Sequence, residues 1–185
     1  MLDLRKCTMK DFLTEIYRQL QLRRSTMDCL EKAESILVIR SAAMQIFEKL
    51  ISDIRKKNPD IFLYVITHER DKSTVEKVCA RNYEVILYKG STNYDSQFMT
   101  EQLDYLKKCK IDNYLYMINN KYGVGNENVE EILLQLTDQN INVADASGKL
   151  FVIDNPQLHM TNLKIFSLIS DWLWACMDNN QESCV

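Results

Sequence analysis

Short runs of β-branched and aromatic residues alternate along this chain with longer segments whose apolar residues recur at helical spacing, the pattern of βαβ units around a parallel sheet. Ser35 to Ile39, reading SILVI, is apolar enough to be a first strand covered on both faces. The segment after it carries Met44, Phe47, Leu50, Ile51 and Ile54 on one side, which predicts an amphipathic helix closed at Asn58-Pro59. Residues 61 to 67, IFLYVIT, predict a second strand, followed by a polar helix from Arg70 to Arg81 with Val75 and Val78 inward. EVILY, 84 to 88, predicts a third strand. Gly90 and a polar loop precede a helix bearing Phe98, Leu103 and Leu106. YLYMI, 114 to 118, predicts a fourth strand, and Val129, Ile132, Leu133 and Leu136 mark the helix after it. The stretch INVADASGKLFVID, from Ile141 to Asp154, fits either a fifth strand broken by a bulge or a small edge hairpin.

Right-handed crossovers then give a three-layer, doubly wound, Rossmann-like α/β domain over residues 34–185, with a mostly parallel five-stranded sheet in the order 3-2-1-4-5. Residues 1–33 are expected to form a helical segment packed on that domain: Thr8 and Asp11 resemble a capping box, and Phe12, Ile16 and Leu20 form a stripe. A long last helix opens with Asn155 as N-cap and Pro156 in its first turn. Leu163, Phe166, Leu173 and Met177 lie along one of its stripes, and Ile165, Ile169, Trp172 and Cys176 along a second. Such breadth implies cover on two faces. Either the leading helices provide the second cover, or Trp172 and Trp174 anchor a homodimer or partner interface.

Composition removes several function classes. A formal charge of -3 with mixed signs gives no broad basic face for nucleic acid. No stretch approaches the roughly 18 apolar residues that span a bilayer, and the charged start MLDLRKCTMKDF does not read as a signal peptide, so a cytoplasmic location is expected. The six cysteines are scattered, without a C-x-x-C pair or a histidine at zinc spacing; reduced thiols are expected, and no metal or cofactor.

In an open parallel sheet, ligands bind outside the carboxyl ends of the strands, which singles out the loops beginning at Arg40, Thr67, Tyr88 and Asn119. The first reads Arg40-Ser41-Ala42-Ala43-Met44-Gln45 and contains no glycine, so neither a dinucleotide fingerprint nor a P-loop is present. A response-regulator receiver site is excluded as well, because Arg40-Ser41 and Tyr88-Lys89 stand where acidic residues would be needed. The fourth loop, Asn119-Asn120-Lys121-Tyr122-Gly123-Val124-Gly125, holds two of the chain's four glycines. It is either a shaped connection, with Asn126 or Asn128 capping the next helix and Glu131 completing a capping box, or a ligand contact. Glu127, Glu130 and Glu131 at that helix start disfavour phosphate and favour a hydroxyl-rich or cationic ligand. His68, one of two histidines, is a conceivable general base without an evident nucleophile; His159 reads as structural.

The stretch from Ile36 to Thr67, ILVIRSAAMQIFEKLISDIRKKNPDIFLYVIT, resembles the start of the acceptor-side half of GT-B glycosyltransferases of the heptosyltransferase type. Arg40, Ser41, Ala42 and the Asn58-Pro59-Asp60 stop carry the likeness. That family has Gly-Asp shortly after the arginine, where this chain has Met44, Gln45 and Ile46, and its active site lies between two such halves. The resemblance therefore implies a stand-alone domain that binds a sugar-like or nucleotide-sugar ligand, or an enzyme partner, without catalysis of its own. Arg40, Ser41, His68, Tyr88, Lys89 and the loop from Asn119 to Gly125 would contact the ligand. Two alternatives remain open: a transferase completed by dimerisation or a partner, and a non-enzymatic interaction module built on the last helix.

Overall fold

The computed structural model describes residues 23–25, 27–90, 93–119 and 126–181. Seven strands form one sheet: β1 (Arg23–Ser25), β2 (Ser35–Ile39), β3 (Phe62–His68), β4 (Tyr83–Tyr88), β5 (Asn113–Met117), β6 (Ile141–Ala144) and β7 (Leu150–Ile153). The α-helices are α1 (Met44–Lys57), α2 (Lys72–Cys79), α3 (Thr100–Leu106), α4 (Glu127–Leu134) and α5 (Pro156–Gln181). Single 3₁₀ turns occur at Met27–Leu30, Glu69–Asp71 and Ser96–Met99.

The sheet runs β1-β7-β6-β5-β2-β3-β4. From β4 to β6 all neighbours pair in parallel, whereas β7 pairs antiparallel to β6 and β1 antiparallel to β7. Count and order thus differ from the five-stranded expectation. The stretch from Ile141 to Asp154 is a hairpin, and its turn is held by the Asp145 carboxylate, which accepts from the Ser147 and Lys149 N–H groups at 2.8 and 2.9 Å. Gly148 takes φ +82° there, a left-handed conformation that costs other residues energy.

Part of the leading segment is also corrected. Arg23–Ser25 is a strand rather than a helix, because the hairpin leaves β7 with an open edge whose N–H and C=O groups the chain satisfies by pairing. Residues 1–22 of the expected helical segment lie outside the described residues.

Two apolar layers flank the sheet. Alternate residues of β2 point oppositely, so Leu37 and Ile39 join Met99, Leu103, Val129 and Ile132 from the α3 and α4 side, while Ile36 and Val38 join Phe47, Leu50, Ile54 and Val75 from α1 and α2. Each such buried aliphatic side chain contributes about 1.5–3 kcal/mol relative to exposure. The Asn58 stop does more than end α1: its amide donates to the carbonyls of Leu30 and Ala33 at 3.0 and 2.8 Å, fixing the approach to β2. Asn155 caps α5 as its position suggests, accepting from Leu158 N–H at 3.2 Å. Beyond its buried Met160 and Leu163, however, Ile165, Ile169 and Trp172 of the second stripe are exposed. The side chains of Trp174, Phe166, Leu173, Met177 and Cys176 lie outside the described residues. Among the described residues no helix is long and apolar enough to cross a membrane.

Candidate functional site

The parallel register brings the ends of β2, β3, β4 and β5 to one edge, with His68 beside Tyr88 and Ile39 between Ile66 and Tyr116. Arg40, Ser41, His68, Tyr88, Lys89 and Asn119 therefore share that edge. Asn120, Lys121, Tyr122, Gly123 and Gly125 lie outside the described residues.

Three of the six, Arg40, Ser41 and Asn119, are spent on hydrogen bonds between the loops. The Arg40 guanidinium is buried and donates from Nε to Thr67 Oγ1 at 2.9 Å, from Nη1 to the Ala42 carbonyl at 3.0 Å, and from Nη2 to the Asp71 carboxylate. Its fork is spent on tying the loop after β2 to the 3₁₀ turn after β3. Ser41 Oγ bridges to β5, donating to the Met117 carbonyl and accepting from the Met117 N–H at 3.2 Å. Asn119 Oδ1 accepts from the Ala43 N–H at 2.9 Å. Ala43 is the N-cap residue of α1, and the anion position at that helix start already holds an amide oxygen.

The crevice is further occupied by Tyr94, from the loop between β4 and α3. Its hydroxyl donates to the Arg40 carbonyl at 3.0 Å, and its carbonyl accepts from Asn128 Nδ2 on α4 at 2.6 Å. Its ring packs 4.9 Å from both His68 and Tyr88, and His68 meets Tyr88 edge-on at 5.1 Å. Burial pushes the Tyr94 phenol pKa up. Desolvation, reinforced by Arg70 and Arg40, lowers the His68 pKa, so the imidazole is held neutral. His68 is accordingly a packing residue of this cluster.

An open cleft of about 780 Å³ lies on the outer side of the same loop. Its walls are Tyr88, Lys89, Gly90 and the run from Asn93 to Phe98, closed on the far side by Asn128 and Glu131 of α4. Phe98 is 58% exposed, an aromatic face left open to solvent. Gly90 is required by a close approach, since a Cβ there would overlap the Tyr88 phenol ring. That ring has little freedom to retreat, as its hydroxyl donates to the Asn93 carbonyl. Asp95 Oδ1 accepts from Gln97 N–H at 2.9 Å and opens the 3₁₀ turn beneath Phe98.

Of the expected ligand contacts, Tyr88 and Lys89 line this cleft, while Arg40, Ser41, His68 and Asn119 do not. The expected capping box on α4 is replaced. Asn126 stands at the N-cap without a side-chain cap, Asn128 serves Tyr94, and Glu131 pairs with Lys164 at 3.1 Å. Asn93 to Phe98 carry the cleft although their sequence reads only as a polar connection; the useful signal was Gly90 followed by an aromatic residue in a polar run.

Below α4, Glu130 faces inward. Its carboxylate accepts from the Tyr116 hydroxyl, and His159 Nε2 of α5 stands 3.8 Å away. Among the described residues no group of three His, Cys, Asp or Glu side chains could hold a metal ion. Cys79 and Cys109 are free thiols, and burial pushes the Cys79 thiol up to about 11, away from reactivity. No family model matches the chain, and no curated protein or solved structure matches it either.

Proposed function

We propose that the protein is a Rossmann-like binding domain for a small, hydroxyl-rich, sugar-like molecule held in the cleft between the β4–α3 loop and α4, with no catalytic step of its own. The cleft itself carries this reading: it pairs the open face of Phe98 with amide, hydroxyl and carboxylate groups of Asn93, Ser96, Gln97, Asn128 and Glu131. A sugar presents both an apolar C–H face and a ring of hydroxyls, and such a lining answers both. Lys89, together with the Lys164 ammonium on Glu131, is balanced by Asp95 and Glu131, which gives phosphate no net attraction. The Asn119 amide at the start of α1 argues in the same direction.

The test is a thermal-shift and calorimetry panel of free hexoses, amino sugars, nucleotides and nucleotide sugars. A specific ligand at a hundred times its dissociation constant stabilises the native state by about 2.7 kcal/mol. For a chain of this size that raises Tm by roughly 5–10 °C. Stabilisation by a free sugar, abolished by Phe98→Ala, supports the proposal. Stabilisation by nucleotide sugars alone would favour a transferase half-site, and no shift with any compound would sink the binding reading.

A further inference from the structure

The two edges of the sheet are built differently. β1 is three residues long and carries Arg23 and Arg24, so shortness and charge guard it against further pairing. β4, at the other edge, is a six-residue strand in unbroken register with β3. It has no proline and no bulge, and Val85 and Leu87 are only half-buried. An edge of this kind is a template for another strand.

The backbone shows which groups are on offer. Leu63 N–H donates to the Asn82 carbonyl at 2.9 Å, and backbone groups alternate along a strand, so those of Asn82, Glu84, Ile86 and Tyr88 serve β3. Those of Tyr83, Val85 and Leu87 point the other way, where no strand stands among the described residues. Helix α3 borders the same edge. The Tyr105 hydroxyl donates to the Glu84 carboxylate at 2.8 Å, and Phe98, seven residues earlier, stands with Tyr88 and Lys89 at the other end of the strand. The two rings are 43% and 58% exposed, and the other exposed large hydrophobics among the described residues all lie on α5.

We infer that the β4 edge pairs with the β4 edge of a second copy, antiparallel about a two-fold axis at Ile86, so that two sheets become one. The strand is self-complementary in that register. Val85 exchanges both backbone bonds with Leu87 of the second copy, and Ile86 stands opposite Ile86 in a non-hydrogen-bonded pair. Glu84 then faces Tyr88 and Tyr83 faces Lys89, so neither charge meets its own kind, whereas an axis at Glu84 would set carboxylate against carboxylate. The same axis orders the helices. Tyr105 sits by Glu84 and Phe98 by Tyr88, so each Tyr105 comes alongside Phe98 of the other copy and the two open rings cover each other. An unrelated extended peptide would satisfy the backbone groups but not this double match.

Sedimentation of the full chain across the micromolar range tests the pairing, and no ligand enters it, so its outcome is separate from that of the cleft reading. The parent should sediment at twice the mass of one chain. Leu87→Pro removes one outward N–H and no bond to β3, and should halve that mass with an unchanged circular dichroism spectrum. A monomeric parent overturns the inference, as does a Leu87→Pro protein that remains dimeric. Should Leu87→Pro fail to fold, Ile86→Cys decides. A non-hydrogen-bonded antiparallel pair holds its Cα atoms about 4.5 Å apart, within disulfide reach. Under mild oxidation Ile86→Cys should give a disulfide-linked dimer that the parent, with its six native cysteines, does not give. Equal linking in the two proteins, or none in either, refutes the β4 pairing.

Discussion

The phenol of Tyr94 donates to the backbone carbonyl of Arg40 at 3.0 Å, a buried bond between residues 54 positions apart. It fastens the β4–α3 loop across the ends of β3 and β2, where an open parallel sheet usually admits its ligand. The ligand space is moved outward, to the cleft on the other side of the loop. Tyr94→Phe keeps the ring packing and deletes only the donor, leaving a buried carbonyl unpaired at a cost of about 1–3 kcal/mol. Tyr94→Ala removes the ring as well and should cost about 3–5 kcal/mol. Urea unfolding of the two variants measures both, and a Tyr94→Phe protein as stable as the parent would show that the bond is not formed.

The strands were legible because a strand covered on both faces has to be apolar throughout, and SILVI and YLYMI are. β1 was not, since Arg-Arg-Ser carries no strand pattern; it is a strand only because β7 offers it an open edge. For the site, position was readable and orientation was not. Arg40 stands at the expected edge, yet it points inward because Thr67 and Asp71, some thirty residues away, supply acceptors there. The cleft residues from Asn93 to Phe98 form a wall through a 3₁₀ turn and the Asn128 bond to Tyr94, neither of which leaves a periodic trace in the sequence.

Arg40 should behave as a structural tie. Asp71 is about a quarter exposed, so the pair is worth less than a fully buried one and more than a surface pair, about 1–3 kcal/mol. Arg40→Lys keeps the charge but cannot make three directed bonds, and should lose stability of that order. A double-mutant cycle with Asp71→Asn should return a coupling of about 1 kcal/mol or more. Ligand affinity in the cleft should survive Arg40→Lys in the folded population; its selective loss, at unchanged stability, would return Arg40 to the ligand site.

His68 makes stability depend on pH in one direction. Its folded-state pKa lies below the ordinary 6.5, so the unfolded chain binds the proton more readily. Stability from this residue is present above 6.5 and is lost as pH falls through that value toward the folded pKa. Unfolding free energies from about pH 8 to about pH 5 should decline, and His68→Gln should flatten the decline. A slope unchanged by His68→Gln would contradict the neutral, packed imidazole.

Gly90 and Phe98 separate the shape of the cleft from the stability of the fold. Phe98 is exposed, so Phe98→Ala should change stability by no more than about 0.5 kcal/mol while removing the aromatic face. Gly90→Ala forces a methyl group into the Tyr88 ring, which Asn93, His68 and Tyr94 hold in place. The loop has to move, and with it the wall from Asn93 to Phe98, at a cost of about 1–3 kcal/mol for overpacking. Whatever sugar the calorimetric panel identifies should bind at least tenfold more weakly to both variants, a loss of about 1.4 kcal/mol. Only Gly90→Ala should also lower Tm. A ligand that binds the two variants as tightly as the parent would have to sit elsewhere on the carboxyl edge, and the cleft would lose its assignment.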